Sequence, residues 1–411
     1  MRRVAVTGIG IVLPSGNGMD EVWENAVAGR VRLRPIDRFE AARYQCRVAG
    51  QADFDPLEHL PGRFVKRTDR FTHLAMATAA TALKDAGLSI GSDVAAERTG
   101  IMVGNVLGGW EFAERELRRM WLDGARAISP YQATAWFPAA PQGNICIELG
   151  IKGRSRTFVA DRASGAYALM AGAETIARGH ADVVLAGGVE APLSSYAWLC
   201  LQTSGLMAKQ RGGSPDEVYR PFGNGHCGSV FGEGSTFLVL EERERALARN
   251  AALHGEIVGW AASTDGYLPL YTVEPTGEVL GRAIRTALDR AGLSASGVSG
   301  VFAHGSAQPV EDATEVYALR DVFGPSGGVP VSVPKAGFGH TLGAAAPADV
   351  ALALRALREG VIPPTPRLDR PAPGFDLDFV RGSSRSIDAG GHAVVVSRGL
   401  GGVNACLVLS S

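Results

Sequence analysis

The chain has 411 residues, 46% of them apolar, with 41 Lys+Arg against 42 Asp+Glu and a formal charge of −1. That is ample material for a large buried core, either one big domain or two closely fused halves. The balanced charge leaves no obviously basic face, so nucleic acid is not an expected partner. No apolar run approaches a membrane span, so no membrane is expected either. The five cysteines, Cys46, Cys146, Cys200, Cys227 and Cys406, lack C-x-x-C spacing. Their odd number and scatter point to reduced thiols and a cytoplasmic protein.

The opening MRRVAVTGIGIV has a short apolar run, broken by glycines and without a cleavage site, so 3–12 reads as a strand rather than a signal peptide. TGIG lacks the third glycine of a dinucleotide loop, and no cofactor is expected. The spacing predicts a helix over 20–28, irregular chain over 31–61, and a strong helix over 68–86 with Asp69 in its first turn and Gly87 as its stop. A strand over 99–106 ends at Gly108-Gly109. The amphipathic segment 110–122 places Trp110, Ala113, Leu117 and Trp121 on one side. A short helical stretch follows within 132–149.

A strand over 157–160, a sharp turn at Asp161-Arg162, a small-residue helix over 163–178 and a buried strand over 181–186 ending in Gly187-Gly188 form the central unit. Such a turn presents its residue at a helix N-terminus, where an anionic nucleophile is stabilised. Here that residue is Arg162, whose guanidinium cannot attack a carbonyl. A buried arginine requires an anionic or carbonyl partner, and a sharp turn aims the adjacent Asp161 elsewhere. Beyond it lie an apolar segment over 194–206, a polar Gly-rich loop over 207–234, a strand over 235–241 and a charged helix over 242–254.

At Gly255 the pattern begins again: strands over 257–263, 298–303, 329–333, 393–398 and 404–409, and helices over 277–291, 310–323 and 340–358. Each half reads as strand–helix units closed by an antiparallel pair, an alternating α/β architecture with an internal duplication and halves at 1–254 and 255–411. Such a fold brings Arg162, His304 and the Lys335/His340 pair to one sheet edge. Two histidines and a lysine there suit stabilisation of an enolate or a carboxylate. No third ligand at useful spacing supports a metal.

VADRASGAYAL with VLAGGVEA, GEGSTFLVLEE, VFAHGSAQP, VPKAGFGHTLGAAA and SRGLGGVNACLVL together resemble the β-ketoacyl synthases of the thiolase superfamily, from VAVTGIGIV to the C-terminus. The resemblance implies the thiolase fold, two pseudo-duplicated halves in a five-layer αβαβα sandwich. It also implies that the Arg162 position holds the acyl-carrying cysteine in catalytic members. By the same resemblance, His304 and His340 match the histidines that assist malonyl decarboxylation and polarise the thioester carbonyl, and Lys335 the lysine that supports them.

VADRASG, YQATAWF and GGWEFAERELRRMW resemble more narrowly the chain-length factor, or KSβ subunit, of type II polyketide synthases. That resemblance implies a subunit without condensing activity, paired as a heterodimer with a cysteine-bearing ketosynthase (KSα) and served by an acyl carrier protein. It implies a tunnel for the polyketide chain lined by Trp110, Ala113, Leu117, Phe137 and Leu400. Arginine replaces the usual glutamine at 162, His304, Lys335 and His340 are all kept, and Leu400 replaces a phenylalanine of catalytic members, as in a branch serving reduced or polyene chains. The rival reading is a decarboxylase of malonyl-carrier protein that uses both histidines and Lys335, with Arg162 on the malonyl carboxylate. Against it, such a grip stabilises the ground state and slows loss of CO₂.

Overall fold

The computed structural model describes residues 1–209, 214–267, 272–325 and 328–411. Part of the Gly-rich loop expected over 207–234, at 210–213, lies outside the described residues. Ten strands form one hydrogen-bonded path: β1 (Val4–Leu13), β2 (Thr99–Gly104), β3 (Ser155–Phe158), β4 (Val183–Glu190), β5 (Gly234–Glu242), β6 (Gly255–Thr264), β7 (Val298–Phe302), β8 (Val331–Ser332), β9 (His392–Gly399) and β10 (Val403–Ser410). Their order is β8-β7-β9-β10-β6-β1-β5-β4-β2-β3. Within each set of five, the first strand pairs the fifth, the fifth the fourth, the fourth the second and the second the third. The first two pairings are antiparallel and the last two parallel in both sets. The sets join where Val4, Ala5 and Val6 of β1 pair Ile257, Glu256 and Gly255 of β6.

The main helices are α1 (Met19–Val27), α2 (Arg70–Asp85), α3 (Trp110–Asp123), α4 (Ala140–Leu149), α5 (Ser164–Ala177), α6 (Ser195–Thr203), α7 (Glu278–Ala291), α8 (Pro309–Phe323) and α9 (Ala345–Glu359). α5 and α9 pack on each other and on both sets of strands. Their Ala- and Gly-rich faces allow that close approach, and they fill the central apolar cluster. α2 covers the outer face of the first set and α7, backed by α8, that of the second. The result is five layers, αβαβα. Among the described residues, no helix is long and apolar enough to cross a membrane.

Several expected boundaries move. β4 runs through Gly187-Gly188 to Glu190. These glycines serve close approach rather than strand termination, since a Cβ on Gly188 would lie 2.1 Å from the carbonyl oxygen of Gly343. Asp69 is the N-cap of α2, its side chain accepting the Phe71 N–H. The helix expected over 242–254 is only Arg243–Ala248, ending as Asn250 enters the left-handed region at φ 56°. The irregular 31–61 contains a small ladder of Leu33–Pro35 on Val48–Gly50. His340 precedes a 3₁₀ turn, Leu342–Ala344, and α9 starts only at Ala345.

The two ends of the sheet differ. At β8, Phe379 bridges Val331 on its outer side and both strand residues are buried. At the other end β3 pairs, among the described residues, only with β2; its residues are half-buried or exposed, and Val159 just beyond it is 60% exposed.

Candidate functional site: a buried arginine beside two histidines

Between β3 and α5 the chain turns with Asp161 in the left-handed region, φ 47°, a conformation that Asp and Asn tolerate better than most side chains. Ser164 fixes the turn, accepting the Ala160 N–H at 2.9 Å and donating to the Asp161 carbonyl at 2.6 Å. Arg162 follows two residues ahead of the helix and is fully buried. Its Nη1 and Nη2 each donate to an oxygen of Glu311, both at 2.8 Å. Its Nε donates to Asp161 Oδ2 at 3.1 Å. Asp161 therefore faces its neighbour, contrary to the expectation from the sharp turn. The left-handed residue is Asp161 itself, and its carboxylate curls back over Arg162 and over the N–H of Leu400, at 2.8 Å.

Glu311 lies in the first turn of α8, in the other half of the chain. Burial pushes its carboxyl up, but Arg162 outweighs burial and holds it down to about 2. Burial opposes the guanidinium charge, and Glu311 and Asp161 together raise the arginine above its usual value. All three nitrogens of the fork are engaged by protein carboxylates, both Nη atoms by Glu311 and Nε by Asp161.

His304 and His340 stand beside this pair, both buried, with ring centroids 5.0 Å apart in an edge-on arrangement. Nδ1 of His304 accepts the Arg398 N–H at 3.3 Å, and Nδ1 of His340 accepts the Leu342 N–H at 3.1 Å. Each acceptance places the proton of the neutral ring on Nε2, and neither Nε2 has a hydrogen-bond partner among the described residues. Burial lowers both imidazoles well below their usual range, reinforced at His304 by Arg162 and at His340 by Lys335. The site thus holds two neutral rings with free Nε2–H donors. Nε2 of His304 is 4.0 Å from Glu311.

Lys335 does not turn its ammonium toward that space. Nζ donates to the carbonyls of Ala303 at 2.7 Å and His304 at 3.2 Å and pairs with Asp349 at 2.6 Å. Three acceptors take its three protons, so Lys335 supports His304 through the backbone. A second carboxylate, Glu315, accepts the N–H groups of His304 at 2.7 Å and Gly305 at 2.9 Å.

The residues expected to line a tunnel do not share one place. Trp110 and Leu117 of α3 line an open apolar groove of about 750 Å³ with Tyr44, Trp121, Tyr196 and Leu199. Trp110 packs on Tyr196, centroids 4.7 Å apart. Ala113 is buried at 2% exposure, whereas Phe137 is 53% exposed beside Trp136. Leu400 lies at the Asp161 turn. Sequence reasoning missed Glu311, Glu315 and Arg398. The acids of QPVEDATE look like ordinary first-turn helix acids after a proline. The usable signal was the demand of Arg162 for an anion. Among the described residues, no group of three His, Cys, Asp or Glu side chains is placed to hold a metal. The five cysteines are unpaired thiols, Cys46 and Cys406 in the core.

The N-terminal domain of the β-ketoacyl synthase family matches residues 1–246, and its C-terminal domain matches 254–369. The tetracenomycin polyketide synthase ketoacyl synthase beta subunit of Streptomyces glaucescens is 38% identical over 408 residues, 99% of this chain and 98% of that one. The solved ishigamide ketosynthase/chain length factor superposes with a TM-score of 0.91 at 30% identity, covering 100% of this chain and 99% of that one. A type II acyl carrier protein in complex with its hexaketide-bound ketosynthase superposes with a TM-score of 0.90 at 26% identity, over 100% and 99% of the two chains. With its five layers, its paired imidazoles and these matches along nearly its whole length, the chain belongs to the β-ketoacyl synthase family.

Proposed function

We propose that this chain is the non-condensing chain-length factor (KSβ) of a type II polyketide synthase, pairing with a cysteine-bearing KSα and shaping the tunnel in which the polyketide grows on its acyl carrier protein. The observation that carries this is the Arg162–Glu311 pair, which fills the position of the acyl-carrying thiol with a two-pronged, buried ion pair. No acyl-enzyme forms on such a group. The open edge of β3, with Val159 exposed beside it, supplies unpaired backbone for a partner strand. The apolar groove on α3 supports Trp110 and Leu117 as determinants of tunnel depth, with Ala113 buried on the same helix and Phe137 and Leu400 as outlying members of the lining. The repeated strand order supports a division of the chain into halves at 254/255. The five unpaired cysteines suit a reducing cytoplasm.

One observation favours a second reading. The unpartnered Nε2 donors of His304 and His340 are placed to polarise a thioester carbonyl, as in a decarboxylase of malonyl-carrier protein. Arg162 already holds Glu311 with both Nη atoms, so a malonyl carboxylate would have to compete with that pair. The test is co-expression with the KSα from the same gene cluster, then sizing and intact mass after incubation with malonyl-carrier protein, alongside this chain alone. A 1:1 complex with acyl mass on KSα only, and no acetyl-carrier protein from the lone chain, is expected. Acetyl-carrier protein from the lone chain, lost in His304→Ala or His340→Ala, overturns the non-enzymatic reading.

A further inference from the structure

The helix that carries Trp110, Ala113 and Leu117 has no capping side chain of its own at Gly109. Two buried carboxylates from elsewhere hold its entry. Asp69, 2% exposed, accepts the Phe71 N–H on Oδ1 at 3.0 Å and the Phe112 N–H on Oδ2 at 2.6 Å, so one carboxylate caps both α2 and α3. Glu190, fully buried at the end of β4, accepts the N–H groups of Val106 at 2.9 Å and Leu107 at 3.0 Å in the loop before α3. Its Oε2 also takes the Gly343 N–H at 3.1 Å, from the turn that follows His340. The backbone comes this close because position 109 has no side chain, since a Cβ there would lie 2.8 Å from the Cβ of Asp69. Burial raises both carboxyls, Asp69 to about 7 and Glu190 to about 8, against the pull of these N–H donors. The hydrogen bonds of both acids go to backbone N–H groups, so their role lies in the helix and loop entries they hold.

We propose that Asp69 and Glu190 are positioning residues that clamp the entry of α3, and through it the depth of the tunnel, without touching the growing chain. This rests on the chain-length reading above. The experiment uses the purified heterodimer with malonyl-carrier protein and reads the distribution of product lengths by mass spectrometry. Asp69→Ser keeps an N-cap oxygen for α2 but is too short to reach Phe112; Trp110→Ala is the reference. The off-length share of product is expected to rise several-fold in both, with total turnover changed less, a split that mere loss of stability does not produce. A shifted profile in Trp110→Ala with an unchanged one in Asp69→Ser overturns the clamp. No shift in Trp110→Ala overturns the chain-length reading and the clamp with it. If Asp69→Ser gives no heterodimer, amide hydrogen exchange on the wild-type chain decides. Protection of Val106, Leu107 and Phe112 equal to that inside α3 supports the clamp, and exchange at the rate of exposed amides overturns it.

Discussion

Two buried ion pairs flank the histidines, and they are built differently. Arg162–Glu311 joins the two halves of the chain through a two-pronged contact, and Glu311 stays ionised down to about pH 2. Lys335–Asp349 lies within the second half through one contact, and burial raises Asp349 to about 6 although Lys335 pulls it down. The difference is geometric. A planar fork matches both carboxylate oxygens, while an ammonium shared with two carbonyls satisfies only one. Indeed Oδ1 of Asp349 has no hydrogen-bond partner among the described residues. The first pair is a fixed charge pair, and the second can relax by taking up a proton.

The linkage signs follow from these values. The folded value of Glu311 lies below its ordinary 4.5, so its contribution is complete above about pH 4.5 and lost as pH falls through about 2. The folded value of Asp349 lies above its ordinary 3.8, so its contribution is present below 3.8 and lost as pH rises through about 6. The largest predicted effect is Arg162→Ala, which strands Glu311. It should cost about 3–5 kcal/mol at neutral pH in urea melts, and joint replacement of both residues by leucine should recover most of that. A double variant as unstable as the single would show that the site demands charge rather than shape.

Lys335→Met comes next. At pH 5 Asp349 already carries its proton, so the hydrogen bonds to Asp349 and to the Ala303 and His304 carbonyls are lost without a charge being stranded, about 2–3 kcal/mol. Above pH 6 the variant must keep a proton that the wild type releases, and the cost should grow by up to about 1.4 kcal/mol per pH unit. For Arg162→Ala that growth starts near pH 2, so at pH 5 the two variants should differ most clearly. Equal costs at pH 5 would erase the distinction between the pairs.

How far the sequence alone reveals this depends on the distance between partners. The turn at 161–162, the strand–helix repetition and the amphipathic α3 are local patterns of spacing and chemistry. The impossibility of a nucleophile at 162 is equally local, because it follows from one side chain. Glu311 stands 149 residues away on another element and looks like any helix-start acid. Asp349 left a clearer trace, as the single acid inside the apolar run AAPADVALAL. That Lys335 supports His304 through the Ala303 and His304 carbonyls, just after β7, is something no residue pattern displays. Asp69 reads in the sequence as a helix-start acid, and its second bond, to α3, needs the fold.

The smallest predicted effect tests which carboxylate carries the fixed pair. Asp161 Oδ2 alone accepts both the Arg162 Nε–H and the Leu400 N–H. In Asp161→Asn the amide oxygen can take that place, and asparagine tolerates the left-handed backbone at 161. Both hydrogen bonds survive and only the charge goes. With Glu311 still gripping both Nη atoms, the loss should be about 1 kcal/mol or less in the same melts. Asp161→Ala removes the acceptor and strains the turn, so it should cost more than the asparagine variant. If Asp161→Asn were as damaging as Arg162→Ala, the guanidinium would owe its place to the neighbour in its own turn, and the bridge between the two halves would be incidental to the stability of the site.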